Sequence, residues 1–264
     1  MMLGVILAAG RGTRLAPYTD AVNKEMLPVA DIPIIEYNVR YLADSGVKKV
    51  LVVVSENKEQ VIHYLRDGKR FGVNLAYVFQ DVRNGAGTAK AVEVVKPWVD
   101  DSFIVVYGDS FFHPGDFVKR LLEFHRSSNA VATVGLHEAE SPERFGVVLL
   151  GKNNRVVDVV EKPSAKQVRA LMRKGKILAN SGPLVFENKI FEYILRTKPA
   201  PNGEYQITDT IKLMGSDGLN VCGFKIPNSV FWRDIGTPEA RLQADSYMLR
   251  KRLTASKDLR GVCP

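Results

Sequence analysis

An α/β fold built on a mainly parallel, mixed sheet is predicted by three features of this 264-residue sequence. Short runs rich in valine and isoleucine recur through the first half, and they are too short to be helices. Amphipathic stretches separate these runs, and this alternation indicates parallel strands whose connecting helices cover both faces of the sheet. After residue 107 the alternation loosens and a hairpin pattern appears, which indicates antiparallel pairing in that part of the chain.

The predicted strands are short apolar runs bounded by turn-forming or charged residues. In chain order they are Met2–Ala8, Val50–Val54, Leu75–Phe79, Phe103–Tyr107, Ala130–Leu136, Gly146–Leu150, Val156–Val160, Pro183–Phe186 and Val221–Ile226. The predicted helices have an apolar periodicity near 3.6. They are Ile34–Ser45, Lys58–Asp67, Thr88–Val95, Asp116–Ser127, Ser164–Lys174, Lys189–Arg196 and Pro238–Leu253. Gly46 follows the first helix as a C-cap, and Pro238 stands in the first turn of the last helix, where proline is tolerated.

Composition limits the classes of function. The net charge of +8 favours an anionic partner. Basic residues are not interleaved with aromatic ones as in a groove for single-stranded nucleic acid, so we expect no nucleic-acid partner. No apolar stretch approaches the roughly 18 residues that span a bilayer, so we expect no membrane partner. Two cysteines, Cys222 and Cys263, are too few for a disulfide framework, and we therefore expect a cytoplasmic protein.

A glycine-rich turn follows the first predicted strand and gives the first indication of function. Gly10 and Gly12 let the backbone approach a ligand and leave N–H groups free for anionic oxygens. Arg11, Arg14 and Lys24 add cations, so the predicted ligand is a phosphate group of a triphosphate. A dinucleotide fingerprint would need a third glycine at position 15, which is leucine, and no Gly-Lys-Thr or Gly-Lys-Ser follows as in a Walker loop. A tight turn with surface arginines is the structural alternative.

The predicted strands place three turns at one edge of the sheet. The turns after Ala8, Phe79 and Tyr107 all follow carboxyl ends of strands, where ligands bind in open α/β sheets. No repeat or linker divides the chain, so we predict one domain, residues 1–264. Within it, residues 1–112 form a nucleotide-binding half, residues 113–240 a sugar-phosphate-binding half, and residues 241–264 a helix and basic tail.

The opening loop Gly10-Arg11-Gly12-Thr13-Arg14-Leu15 and the segment from Lys24 to Pro28 are followed by seven further motifs in a characteristic order. These are Gln80 with Gly85, Tyr107-Gly108-Asp109, Phe145-Gly146-Val147, Glu161-Lys162-Pro163, Asn180-Ser181-Gly182, Glu204 to Asp209, and Trp232 to Thr237. Together they make the sequence resemble the sugar-1-phosphate nucleotidylyltransferases, or NDP-sugar pyrophosphorylases, from Leu3 to about Ala244. This family includes glucose-1-phosphate thymidylyltransferase and UDP-glucose pyrophosphorylase. The resemblance implies a Rossmann-like three-layer sandwich of the nucleotide-diphospho-sugar transferase type.

The resemblance also implies a reaction. In this family an oxygen of a sugar 1-phosphate attacks the α-phosphorus of a nucleoside triphosphate in line, and pyrophosphate leaves. Both reactants are anions, so positioning and charge neutralisation are expected to dominate catalysis. The nucleophile is already ionised, which means that no general base is required. The implied partners are therefore a nucleoside triphosphate and a sugar 1-phosphate, and a homo-oligomer is expected because oligomers are common in the family.

Catalytic and metal-binding roles transfer to this chain position by position. Arg14 matches the arginine that contacts the triphosphate and the departing pyrophosphate, and Lys24 matches the lysine near the α-phosphate. Lys162 matches the lysine that grips the sugar phosphate. Asp109 and Asp234 match the carboxylates that hold Mg²⁺, the implied cofactor, which prefers one or two carboxylates together with substrate phosphates and water. A turn-only role for either aspartate is the alternative.

Substrate contacts follow from the same resemblance. The implied nucleotide-binding residues are Leu7, Ala9, Gly10, Gly12, Thr13, Arg14, Gln80, Gly85 and Gly108. The Gln80 amide both donates and accepts, so it can read uracil or thymine, and the backbone around residues 85–87 completes the base pocket. The implied sugar-phosphate-binding residues are Gly146, Glu161, Lys162, Asn180 and Trp232.

The resemblance leaves the substrates open. Asn180 and Ser110 both depart from what is usual in thymidylyltransferases, and asparagine before glycine is more usual in relatives that use other sugars, including N-acetylglucosamine 1-phosphate. UTP or dTTP with glucose 1-phosphate is the favoured pairing, and N-acetylglucosamine or mannose 1-phosphate is the alternative. A catalytically silent, nucleotide-sugar-binding regulatory subunit is the competing class of function.

Overall fold

A computed structural model describes residues 2–139, 141–172 and 177–260 of the chain. The strands in chain order are β1 (Leu3–Leu7), β2 (Pro28–Val29), β3 (Ile32–Pro33), β4 (Lys49–Val54), β5 (Asn74–Phe79), β6 (Phe103–Tyr107), β7 (Ser110–His113), β8 (Ala132–Glu138), β9 (Gly146–Leu150), β10 (Val156–Glu161), β11 (Leu178–Phe186), β12 (Val221–Lys225) and β13 (Phe231–Asp234). The helices are α1 (Tyr18–Ala21), α2 (Ile34–Asp44), α3 (Glu59–Leu65), α4 (Thr88–Glu93), α5 (Phe117–Ser127), α6 (Ala165–Met172), α7 (Ile190–Ile194), α8 (Ile207–Ser216) and α9 (Pro238–Arg260).

The first half of the chain builds the parallel part of a mixed sheet. Strand β1 pairs in parallel with both β4 and β6, and β4 pairs in parallel with β5. Strands β1, β4 and β6 are buried on both faces, which explains their nearly continuous apolar runs, whereas the edge strand β5 is partly exposed. The predicted α/β class with a mainly parallel, mixed sheet is confirmed.

The second half joins the sheet mainly through antiparallel pairs around β11. This strand pairs antiparallel with β6, β8 and β9, and β12 adds a parallel pair on β8. The hairpin of β9 and β10 is antiparallel, as its sequence predicts. The register of β11 against β8 shifts between Asn180 and Leu184, and Gly182 in this interval has a φ of 61°. Such an irregularity redirects side chains, and here it lies beside the cleft.

Two hydrophobic clusters cover the two faces of the sheet. One packs α2 and α5 on one face and includes the fully buried Ile34, Phe111 and Phe117. The other packs α4, α7 and α8 on the opposite face and includes the fully buried Phe103 and Phe186. The sheet with a helix layer on each side is therefore the three-layer arrangement that the sequence predicts.

A two-stranded ribbon lies off the main sheet and connects distant parts of the chain. Strands β7 and β13 pair antiparallel, with Ser110 opposite Asp234 and Phe112 opposite Trp232. The ribbon continues past its end, where the Ile235 N–H donates to the Asp109 carbonyl over 2.8 Å. This pairing brings Asp109 and Asp234 to the same end of the ribbon.

The predicted elements are all present, but several boundaries differ and some elements were not predicted. Strand β11 begins at Leu178 rather than at Pro183, and α9 runs to Arg260. The helix predicted over Ser164–Lys174 occupies Ala165–Met172, and residues 173 and 174 lie outside the described residues. Elements without a prediction are α1, α8, β2, β3, β7 and β13. Within the described ranges, no helix combines the length and the apolar character that a bilayer crossing requires.

Candidate active site

A cleft of about 690 Å³ opens at the carboxyl ends of the parallel strands. The Gly108 N–H donates to the Leu7 carbonyl over 2.9 Å, and the Gln80 N–H donates to the Val54 carbonyl over 2.8 Å. These bonds extend the sheet pairing just beyond the strands, so the three turns meet at one edge. The predicted site residues that line the cleft are Leu7, Ala9, Gly10, Gly12, Thr13, Arg14, Lys24, Gln80, Asp109, Asn180, Trp232 and Asp234.

The first catalytic candidate, Lys24, lies against the glycine-rich loop. A side chain at Gly10 would place its Cβ 3.0 Å from the Lys24 Nζ, so glycine is needed for this close approach. Lys24 Nζ donates to Asp109 Oδ2 over 2.5 Å, and both side chains are mostly buried. Burial disfavours the charged form of Lys24, but the negative charges of Asp109 and Glu25 outweigh the effect of burial and raise the pKa of Lys24. Lys24 therefore keeps its positive charge in the cleft.

The same ion pair keeps Asp109 ionised. Burial disfavours the Asp109 carboxylate, but the neighbouring Lys24 ammonium outweighs that effect and lowers the carboxyl pKa. Asp234 behaves differently, since burial and the charge of Asp109 raise its pKa to about 6. Both carboxylates lie at the same end of the ribbon of β7 and β13, where a shared cation would offset the effect of Asp109 on Asp234.

Arg14 makes a looser contact with the second aspartate. Arg14 Nη2 lies 3.5 Å from Asp234 Oδ2, while 58% of the arginine side chain is exposed. A Cβ at Gly236 would lie 2.6 Å from Arg14 Nη2, so the glycine leaves room for the guanidinium. The arginine is thus held at the mouth of the cleft with most of its donors available to an anion.

The two aspartates fit a magnesium site that is completed by substrate. Among residues 2–139, 141–172 and 177–260, no group of three or more His, Cys, Asp or Glu side chains could hold a metal by itself. Mg²⁺ is commonly held by one or two carboxylates together with substrate phosphates and waters, which is the donor set that Asp109 and Asp234 offer. The residues present therefore suit Mg²⁺ bound together with a polyphosphate.

The predicted base pocket contains a buried glutamine. Gln80 is 4% exposed, and its Nε2 donates to the Gly85 carbonyl over 3.4 Å. Gly85 is not among the residues that line the cleft, although its neighbours Ala86 and Gly87 are. Tyr205 donates its N–H to the Ala86 carbonyl and accepts from the Ala89 N–H, both over 2.9 Å. The segment from residue 204 to 206 therefore forms the far wall of this pocket.

Gly87 allows these two segments to pack, and its replacement gives a testable prediction. Its φ is 108°, and a Cβ there would lie 2.4 Å from the Tyr205 carbonyl oxygen. We expect Gly87→Ala to destabilise the fold by about 1–3 kcal/mol through backbone strain and to weaken nucleotide binding by displacing Tyr205. Chemical denaturation and nucleotide titration measure the two effects.

Gly46 supplies the matched control for that prediction. Its φ is 91°, but a Cβ there would meet nothing within 4 Å. Gly46→Ala therefore carries the left-handed backbone cost without a clash, and we expect it to leave nucleotide binding unchanged. Equal effects of the two substitutions on nucleotide binding would contradict the role assigned to Gly87.

The residues predicted to bind the sugar phosphate lie in or beside the cleft, and only some of them line it. Glu161 Oε2 accepts from the Thr208 hydroxyl over 2.7 Å, and burial raises the Glu161 pKa. A Cβ at Gly146 would lie 2.8 Å from that same oxygen. Lys162 donates its N–H to the Phe145 carbonyl, and its side chain is 53% exposed, with Nζ 3.8 Å from Glu161 Oε1. Gly108, Gly146, Glu161 and Lys162 are not among the residues that line the cleft.

Asn180 and Trp232, two of the residues predicted to bind the sugar phosphate, both line the cleft. Asn180 Nδ2 donates to the Tyr107 hydroxyl over 3.2 Å, and its Oδ1 accepts from the Gly182 N–H over 3.0 Å. The ring of Trp232 packs on Phe145 at 4.9 Å. The indole Nε1 of Trp232 is buried, and among the described residues it has no hydrogen-bond partner.

Several residues at this site were missed by sequence reasoning. Arg144 lines the cleft, and its charge acts on Asp234. A buried ion pair of Lys58 and Glu25 lies beneath the glycine-rich loop. The only local signal for Arg144 was its place next to the Phe145-Gly146 motif, and nothing in the sequence paired Lys58 with Glu25.

Comparisons with known proteins identify the family of this chain. The model of the family described as nucleotidyl transferase matches residues 3–251. The chain is 32% identical to the low-salt glycan biosynthesis nucleotidyltransferase of Haloferax volcanii, over 97% of this chain and 70% of the relative. It is 32% identical to the glucose-1-phosphate thymidylyltransferase of Neisseria meningitidis, over 94% of this chain and 82% of the relative.

A second group of relatives is longer. The chain is 34% identical to the bifunctional protein GlmU of Methanococcus vannielii, over 94% of this chain but only 55% of the relative. The chain thus spans about half the length of that protein.

Solved structures share the architecture. A Bacillus anthracis protein assigned as a glucose-1-phosphate thymidylyltransferase and solved with a sucrose has a TM-score of 0.80 at 29% identity, over 94% of this chain and 95% of that one. A UDP-glucose pyrophosphorylase complexed with UDP-glucose has a TM-score of 0.80 at 23% identity, over 95% and 99%, and shows the same fold. The family match covers almost the whole chain, including the loop, both aspartates and the cleft between them. The chain belongs to the nucleotidyl transferase family.

Proposed function

We propose that the protein makes a nucleoside diphosphate sugar and pyrophosphate from UTP or dTTP and a hexose 1-phosphate, with glucose 1-phosphate favoured and Mg²⁺ as cofactor. The observation that carries the proposal is one cleft in which a glycine-rich loop, Lys24 and two aspartates meet. Such a set of groups neutralises and positions phosphates but contains no activated nucleophile. The nucleophile must then come from the second substrate, as a sugar phosphate oxygen does.

The proposed reaction is a single displacement at the α-phosphorus. A bond forms from the sugar phosphate oxygen to the α-phosphorus, the bond from that phosphorus to its bridging oxygen breaks, and the electron pair leaves with pyrophosphate. The positive charge of Lys24 would lie where negative charge develops on the α-phosphate. The Arg14 guanidinium would bind the departing pyrophosphate through two parallel hydrogen bonds. Asp109 and Asp234 would hold Mg²⁺, which supplies charge neutralisation and orientation of the phosphates when bound.

Recognition of the two substrates is proposed from opposite walls of the cleft. The buried Gln80 amide suits the donor–acceptor edge of uracil or thymine. We propose that Asn180 and Trp232, which line the cleft, bind the sugar together with the adjoining Gly146 and Glu161, and that Lys162 binds the sugar phosphate. The Asn180 amide donates to the Tyr107 hydroxyl and accepts from the Gly182 N–H, so these contacts fix its orientation, and it keeps a second N–H and a second lone pair for a sugar hydroxyl. N-acetylglucosamine and mannose 1-phosphate are the alternative acceptors.

A grid of nucleotides against sugar phosphates tests the proposal. Pyrophosphate release is measured with UTP, dTTP, ATP, CTP and GTP, each against glucose, N-acetylglucosamine and mannose 1-phosphate, with and without Mg²⁺. We expect release with the pyrimidine nucleotides UTP and dTTP, strongest with glucose 1-phosphate, and a dependence on Mg²⁺. Absence of release from every pairing would overturn the enzyme and favour a silent binding subunit.

The wider setting is also a proposal. We propose that residues 1–264 form one domain and that the protein is homo-oligomeric and acts in the cytoplasm, where both nucleoside triphosphates and sugar phosphates are available. Neither nucleic acid nor membrane is a partner in this proposal. Light scattering of the purified protein measures its oligomeric state, and a monomeric mass would exclude the oligomer.

A further inference from the structure

A buried lysine behind the glycine-rich loop makes two strong contacts. Lys58 Nζ donates to the Gly10 carbonyl over 2.7 Å and to Glu25 Oε2 over 2.6 Å. The side chains of Lys58 and Glu25 are 5% and 0% exposed. The pair thus joins three segments that are distant in sequence: the loop at Gly10, the segment of Lys24, and the turn that precedes α3.

Other side chains hold neighbouring carbonyls of the loop from the same side. The Ser55 hydroxyl donates to the Ala9 carbonyl over 2.8 Å, and the Thr19 hydroxyl donates to the Gly12 carbonyl over 3.1 Å. Ser55, Thr19 and Lys58 all line a separate cavity of about 250 Å³, and none of them lines the main cleft. The loop therefore separates the two cavities, and its carbonyls are bonded on the side away from the cleft.

The loop's N–H groups show the opposite pattern. Across the described parts of the chain, the backbone N–H groups of residues 10–14 donate to no protein acceptor. Consecutive free N–H groups with their carbonyls turned away form an anion-binding concavity. Because the polyphosphate would be bound by these N–H groups, the direction of the Gly10 carbonyl decides whether the concavity exists.

A buried ion pair costs more desolvation free energy than a neutral donor that bonds the same carbonyl. Burying a lysine and a glutamate costs desolvation free energy that their attraction often fails to recover, whereas the neutral Ser55 hydroxyl serves the adjacent carbonyl without that cost. The pair is therefore poorly explained as a stabilising contact. Its second contact offers a different reason, because Glu25 is bonded in sequence to Lys24, whose Nζ approaches Gly10 closely.

We propose that Lys58, held by Glu25, is a positioning residue for the phosphate-binding loop. It keeps the Gly10 carbonyl away from the cleft and sets the distance between the loop N–H groups and Lys24. This inference rests on the proposed function, since it assigns the loop to the triphosphate. It predicts that loss of Lys58 weakens binding of the nucleotide and of pyrophosphate, while binding of the sugar phosphate changes little.

Two variants separate positioning from stability. Lys58→Met leaves Glu25 buried without its partner, so we expect a fall in Tm of about 10 °C together with weaker nucleotide binding. The double variant Glu25→Leu/Lys58→Met removes both charges, and we expect much of that Tm to return. The Gly10 carbonyl still lacks its donor in the double variant, so nucleotide binding should remain weak.

The readouts are Tm, the Kd of UTP and of pyrophosphate with Mg²⁺ by calorimetry, and the KM of each substrate with kcat. We expect the Kd of UTP and of pyrophosphate to rise at least tenfold in both variants, with the KM of glucose 1-phosphate within about twofold of wild type. Leu121→Ala is the matched control, because Leu121 is fully buried on α5, away from the loop. That control should lose Tm and keep its Kd values.

The outcomes distinguish the inference from the function. If both variants bind UTP and pyrophosphate as tightly as wild type, Lys58 has only a structural role and the inference is overturned. Recovery of nucleotide affinity together with Tm in the double variant would overturn it equally. Failure of the proposed function appears differently, as a wild-type protein that releases no pyrophosphate from any pairing in the grid.

Discussion

Replacing Asp109 with alanine is expected to lower turnover by about 10³-fold, equivalent to roughly 4 kcal/mol of activation free energy. The substitution removes a proposed magnesium ligand and also the partner that Lys24 contacts over 2.5 Å. Both losses affect charge stabilisation at the reacting phosphates, and removal of a single preorganised group of this kind commonly costs about 10²–10³. The measurement is kcat for pyrophosphate release over a range of Mg²⁺ concentrations.

A control separates this effect from general loss of charge. Asp116 precedes α5, is exposed, and makes no side-chain capping bond. We expect Asp116→Ala to keep wild-type turnover and the same Mg²⁺ dependence. If Asp109→Ala retained more than about a tenth of wild-type kcat at saturating Mg²⁺, the carboxylate would not have the role proposed for it.

Replacing Phe103 with alanine is expected to destabilise the protein by about 3–5 kcal/mol. Phe103 lies in β6 at the centre of the sheet and is fully buried. Its ring stacks on Phe191 at 5.5 Å and packs against Phe186 at 5.9 Å, so truncation leaves a cavity between a strand and the helix layer. The free energy of unfolding, measured by chemical denaturation, tests this prediction.

Phe79 provides a matched aromatic control. It ends strand β5, at the edge of the same sheet, and 53% of it is exposed. We expect Phe79→Ala to change the free energy of unfolding by less than about 0.5 kcal/mol. Comparable losses for the two phenylalanines would show that the core described around Phe103 does not dominate stability.

The sequence predicts those strands and helices whose structure is determined by their own residues. The strands β1, β4 and β6 are apolar runs that only a doubly covered sheet can bury, and they were predicted from sequence. The helix α8 was not predicted, because Ile207, Thr208 and Thr210 are β-branched and lower helix propensity. Its buried face against α7 and β10 stabilises it instead, and that contact is tertiary.

Some features of the candidate site could likewise be predicted from the sequence, and others could not. The glycine-rich loop, Gln80 and Asp109 follow strand ends, so their common location could be predicted from the order of the elements. The pairing of β7 with β13 could not, because a four-residue strand carries no signal for a partner far along the chain. Likewise, Lys58 reads as the start of a surface helix, and only the folded chain reveals its contact with Gly10.

Because β7 pairs with β13, the site is completed only by residues from both ends of the sequence. Arg14 and Asp234 are separated by 220 positions, yet they contact each other across the cleft. During synthesis, the loop, Lys24 and Asp109 leave the ribosome long before Asp234, so a nascent chain carries anion-binding groups without its second carboxylate. Only when β13 pairs with β7 does Asp234 come to lie beside Asp109. The proposed reaction therefore depends on a contact that forms late in synthesis, the pairing of β13 with β7.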